Sequence, residues 1–114
     1  MSSKISFEGI GEVVATFACG EGVSAGQVVK VTEDGTVGAC SASEKFCGVA
    51  LSAENGYAAV QLGGLVKVPT SGGSITAGWC KLSADGSGGV KKDDSAGVEY
   101  LVVRVETDAA VICL

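Results

Sequence analysis

Apolar and polar positions alternate with period two along most of this chain, and the alternation is clearest in FCGVALSAENGYAAVQLGGLVKVP, residues 46–69. Val49 and Leu51 alternate with Gly48, Ala50 and Ser52, and Ala58, Val60 and Leu62 alternate with Tyr57, Ala59 and Gln61. Between the two runs stands Asn55-Gly56, the dipeptide that accepts the two positive φ angles of a type I′ turn. A two-residue loop sets Leu51 opposite Val60 and Val49 opposite Leu62, so the apolar residues of both strands share one face. The segment predicts a hairpin.

The same grammar runs through the rest of the chain. Val13, Ala15 and Phe17 predict a strand over 12–17, and Val29 and Val31, facing inward, predict another over 27–32. Glu33-Asp34-Gly35 reads as a three-residue loop with Gly35 left-handed, pairing Thr32 with Thr36 and Val31 with Val37. After Leu62 a simple turn at Gly63-Gly64 would put Val66 and Val68 on the wrong face. That leaves either a bulge or a corner into a second sheet, with Pro69 ending the strand or marking an edge. Trp79 to Ser83 predicts a short strand followed by a three-residue turn, Ala84-Asp85-Gly86. Residues 87–97 read as polar and flexible. Residues 99–106 predict a strand with Leu101, Val103 and Val105 inward, and the apolar stretch 109–114 closes the chain. No helical period exceeds one or two turns. Short strands with frequent turns predict an all-β fold, a small single-domain β-barrel or β-sandwich. Residues 1–11 form an N-terminal arm or first strand and 12–114 the β-domain. CGEGVSAGQVVKVTEDGT (19–36) and SGGSITAGWCKLSADGS (71–87) echo each other, as two equivalent β-units in one barrel would, or as recurring strand–turn grammar would by itself.

Composition narrows the chemistry. With 18 Gly and six aromatic residues among 114, the core is thin, and help from partner subunits is expected. The net charge is −5, and the eight Lys and Arg do not cluster, which argues against a nucleic-acid partner. No apolar run approaches about 18 residues, so no membrane span is expected, and MSSKIS does not read as a secretory signal. The five Cys, at 19, 40, 47, 80 and 113, include no CxxC pair and the chain has no His. Zinc-type spacing is therefore missing, and free, mostly buried thiols made in a reducing cytosol are expected.

No constellation points to catalysis. Without His a Ser or Cys triad of the usual kind is excluded. The carboxylates Glu33, Asp34, Asp85 and Asp93-Asp94 fall on turns and loops, where solvation is the ordinary fate. The Gly-rich loops lead into strands rather than helices and do not match a phosphate loop. Tyr57 and Trp79 could mark a contact surface; the competing reading, and the weightier one, makes Trp79 a plug at a barrel end. No cofactor or metal is expected.

The order GQVVKV (26–31), CGVALSAENGYAAVQLGGLVKVP (47–69) and ITAG (75–78), followed by a short strand and Asp-Gly, resembles tailed-phage capsid decoration, or capsid cement, proteins. The likeness spans about residues 10–88. It departs from the family at Trp79-Cys80, where Val-Tyr is usual, and in its many Cys. The resemblance implies a β-tulip-like domain that binds the major capsid protein on the outer face of an icosahedral shell, often as a trimer, and braces the shell without catalysis. It implies a virion location after synthesis in a bacterial cytoplasm, and capsid or neighbour contacts by Lys4, Ile5 and Phe7. The alternative class is a carbohydrate- or ligand-binding adhesive β-module, suggested by the Gly-rich loops with Tyr57 and Trp79.

Overall fold

A computed structural model describes residues 11–114. Lys4, Ile5, Phe7 and the expected arm or first strand lie outside them. The described residues are all-β. Ten strands run in the order β1 (Val13–Cys19), β2 (Val28–Glu33), β3 (Thr36–Ala39), β4 (Gly48–Glu54), β5 (Tyr57–Gly63), β6 (Leu65–Pro69), β7 (Gly78–Ala84), β8 (Val90–Lys92), β9 (Val98–Val105) and β10 (Ala109–Cys113). The first five close a barrel in the order β1-β3-β2-β4-β5, and the last five form a sheet in the order β6-β10-β9-β7-β8.

The two layers share their cores through adjacent residues. Successive side chains of a strand point to opposite faces, and β2 and β4 use both. Val29 and Ala50 face the barrel interior with Val37, Ala58 and Val60. Their neighbours Val28 and Val49 face outward into a second cluster with Phe46, Val66, Val68, Leu82, Val102 and Ile112. One wall of the barrel is therefore also the floor under the second sheet.

The central hairpin forms around the expected turn. Asn55 has φ 54° and Gly56 φ 79°, and Glu54 pairs with Tyr57, Ala53 with Ala58 and Ser52 with Ala59. The register then shifts. Ala50, not Leu51, lies opposite Val60, and Val49 lies opposite Gln61 rather than Leu62. Leu51 is skipped and 41% exposed. A barrel of five strands encloses little space, and Ala50 fits where Leu51 was expected. Gly56 has open space at its Cβ position, so Gly56→Val would report backbone strain alone. A β-branched residue at positive φ is expected to cost about 1–3 kcal/mol, checked by thermal melting. An unchanged melting temperature would show that the turn tolerates it.

Gly63-Gly64 makes the corner. Gly64 has φ 86°, β5 ends at Gly63 and β6 begins at Leu65 in the other sheet, paired with β10. Buried Gln61 fixes this corner, its side-chain amide donating to the carbonyls of Gly63 (3.0 Å) and Leu65 (3.1 Å). Pro69 ends β6, which among the described residues is an end strand of its sheet, where a missing N–H is tolerated.

Further expectations are corrected. Val31 pairs with Val37, but Glu33 rather than Thr32 pairs with Thr36, and Val31 is 54% exposed because this end of β2 runs beyond the core. In β9 the buried residue is Val102, not Leu101, Val103 or Val105; apolar residues stand on both parities there, so alternation does not choose the face. The turn after β7 is longer than Ala84-Asp85-Gly86: Ala84 pairs with Val90 and residues 85–89 form the loop. Residues 87–97 carry β8, anchored by buried Val90. The two echoing segments each supply a hairpin, β2–β3 and β7–β8, but one lies in the barrel and the other in the second sheet.

Candidate contact surface

Directly paired residues of a sheet share a face, and the pairing lines up an apolar row across the outside of the second sheet. Trp79 on β7 faces Leu101 on β9, Leu101 faces Cys113 on β10, and Cys113 faces Leu65 on β6. The neighbouring row, Val102, Ile112 and Val66, points the other way into the core. Trp79 is 69% exposed, so it does not plug a barrel end. The row is bounded by charge. On one side Lys81 pairs with Glu99. On the other, Val111 stands between Lys67 and Arg104 in the register, and Glu106 accepts both, Lys67 at 3.0 Å and Arg104 at 3.5 Å. Val111 is nonetheless buried, as where long charged side chains lay their stems over an apolar neighbour. The Glu106 carboxyl is held below its ordinary range, chiefly by the Lys67 bond. An apolar centre containing an aromatic residue, with a polar rim, is the anatomy of a protein-contact patch.

Tyr57 is also exposed, at 60%, but sits at the tip of the central hairpin on the barrel, opposite Glu54 and Ala18. The structure does not bring the two aromatic residues onto one sheet. Near Tyr57 the mouth of the barrel holds an open cavity of about 310 Å³, lined by Cys19, Gly20, Glu21, Val23, Ala53, Glu54, Asn55 and Gly56. Its polar side chains are two carboxylates, an amide and a thiol.

Two loop carboxylates expected to be solvated instead organise their loops. Asp85 accepts the Ser71 hydroxyl at 2.5 Å and the amides of Ser87 (2.6 Å) and Gly89 (3.1 Å). Asp93 accepts the Ser83 hydroxyl at 2.8 Å and the amides of Ser95 and Ala96. Partial burial acts to raise the Asp85 carboxyl, but the hydrogen bonds from Ser71, Ser87 and Gly89 together outweigh it and hold it below the ordinary aspartate range. Asp93 is lowered chiefly by the Ala96 amide and then by Ser83. Each folded-state pKa lies below the unfolded one. Their contribution is therefore complete above the ordinary aspartate pKa, about 3.9, and is lost as pH falls through the depressed folded values. Melts across that acid range should show stability falling, with Asp85→Asn blunting the fall; a wild-type curve that stays flat there would contradict the assignment.

Cys40 and Cys47 are not set up as nucleophiles. Cys80 is buried, and the other four are half-buried and free. Burial first, and then the charge of Glu44, pushes Cys40 up to about 11, and burial raises Cys47. At Cys40 and Cys47 the thiol form, not the reactive thiolate, therefore prevails near neutral pH. Among the described residues no group of three or more His, Cys, Asp or Glu could hold a metal ion.

Of the four residues named from the sequence as contacts, Trp79 alone falls within the described residues. Its partners Leu101, Cys113 and Leu65 were missed because they are far apart in the chain and only strand order unites them. No protein-family model and no curated protein matches this chain.

Proposed function

We propose that this chain is a capsid decoration protein that binds the major capsid protein on the outer surface of a tailed-phage shell, as a homotrimer, and stabilises the shell without catalysis. The observation that carries the reading is the outward-facing row of exposed Trp79 and half-buried Leu101, Cys113 and Leu65, an apolar strip with charged flanks. The resemblance of residues 26–31, 47–69 and 75–78 to the capsid cement pattern supplies the partner. A thin core of Val and Ala supports it from the side of stability, since a small domain gains stability from whatever binds its folded form.

Purified protein mixed with expanded shells is expected to sediment with them, and Trp79→Ala to weaken the association. Protein that remains in the supernatant at every stage of shell maturation would rule the reading out. A second reading, a carbohydrate-binding module, is favoured by one observation: an indole 69% exposed on a sheet face is a stacking platform. Titration of sugars against Trp79 fluorescence separates the two. A saturable change with a sugar, together with failure to sediment with shells, would select the second.

A further inference from the structure

The barrel closes between β1 and β3 through a short contact, Ala18 with Thr36 and Cys19 with Val37. The earlier part of β1 runs past the β2–β3 turn, and among the described residues 13–17 pair on one side alone, with β5. The ladder fixes where their backbone groups point. The Cys19 amide donates to the Gly56 carbonyl in the β4–β5 turn (2.8 Å), and the Ala18 amide donates the other way, to Gly35 in the β2–β3 turn (2.9 Å). Alternation along the regular pairing of 14–18 turns Ala15 and Phe17 to β5, and Val14 and Thr16 to the open side. Val13 is 58% and Val14 42% exposed, and Thr16 is exposed too. The end strands of the second sheet are defended against pairing. β8 has three residues, two of them Lys, and β6 carries Lys67 and stops at Pro69. Short length, Lys and Pro are the usual devices against edge-to-edge association. β1, VVATFAC, has neither charge nor Pro.

We propose that a second copy of this chain covers the edge, β1 pairing antiparallel with β1 about a two-fold axis at Ala15. That register sets Val14 opposite Thr16 of the second copy and Thr16 opposite its Val14, so the open backbone groups of both strands are satisfied together. On the other face Val13 meets Phe17 of the second copy at the closer spacing of a non-hydrogen-bonded pair. Charge selects the copy over an ionic partner. β1 offers no charge to such a partner, and the register puts Glu12 opposite Ala18 rather than against the other Glu12, so two chains of net charge −5 meet here without facing like charges. The Gly35 turn beside Ala18 marks where the ladder stops. The contact lies on the barrel and the Trp79 row on the second sheet. It therefore does not rest on shell binding, and it is compatible with a trimer built on another surface.

Sedimentation equilibrium of the full-length protein over a range of concentrations, with amide hydrogen exchange read at each, tests this. A reversible doubling of mass is expected. The Val14 and Thr16 amides should exchange slowly when the mass is doubled and as open chain on dilution, while the amides of β9 and β10 keep their protection throughout. Val14→Lys combined with Thr16→Lys sets like charges across the ladder and should weaken the doubling by about tenfold or more. A mass that never doubles would overturn the proposal. So would a doubling in which the wild-type Val14 and Thr16 amides still exchange as open chain, or one that the double substitution leaves unchanged. Protection of those two amides without any doubling would overturn it as well, in favour of a segment of the same chain lying on the edge.

Discussion

Truncating Phe46 to alanine is expected to destabilise the fold by about 3–5 kcal/mol, the range for removing a buried aromatic ring. Phe46 is 2% exposed and lies where barrel and second sheet meet. It stacks on Tyr100 of β9, ring centroids 5.0 Å apart and planes 14° from parallel, and its carbonyl accepts the Tyr100 hydroxyl at 3.5 Å. Few other large side chains are available to close the space, because the cluster around it is mostly Val and Ala. The loss would thus be a cavity between two layers rather than a local dent. Chemical denaturation should show a lower midpoint, and thermal melting a drop of more than about 10 °C for a domain of this size. A loss below about 1 kcal/mol, the average for any substitution, would mean that the two layers are not joined at Phe46.

Adding a single methyl group at Gly48 should cost nearly as much, about 3 kcal/mol. Gly48 opens β4 between Val29 on β2 and the β5 strand. A Cβ there would fall on the carbonyl oxygen of Gln61 and within 2.9 Å of a Val60 methyl. The carbonyl is backbone in a paired strand and the methyl is in the barrel core, so neither can give way cheaply. Gly20→Ala is the matched control, since its Cβ position meets nothing within 4 Å, and it should leave the melting temperature nearly unchanged. Equal effects at Gly48 and Gly20 would show that the closed barrel is not as tight as described.

Features encoded in a few neighbouring residues were legible in the sequence. Asn55-Gly56 specifies its turn because few residues accept two positive φ angles. Gly63-Gly64 betrayed a bulge or a corner because no simple turn could put Val66 and Val68 on the right face, and the structure makes it a corner. What the sequence left undetermined depends on three-dimensional crowding. Whether Ala50 or Leu51 faces Val60 turns on the volume of a five-stranded barrel, which alternation does not express. In β9, Val98, Tyr100 and Val102 compete with Leu101, Val103 and Val105, and only the partner strands decide which set is buried. For the same reason the contact row could not be assembled beforehand. Trp79 was visible as an aromatic residue, but its exposure and its alignment with Leu101, Cys113 and Leu65 follow from the strand order β6-β10-β9-β7.

The roles of Asp85 and Asp93 were hidden similarly. Each is a turn aspartate in the sequence, and its hydroxyl partner, Ser71 or Ser83, stands 14 or 10 residues away.

The claim that this β-domain braces a larger particle is tested most directly by calorimetry of expanded shells with and without the protein. Shells that carry it should come apart at a higher temperature than bare ones, and Trp79→Ala should reduce the gain. A disruption temperature unmoved by saturating wild-type protein would contradict the account.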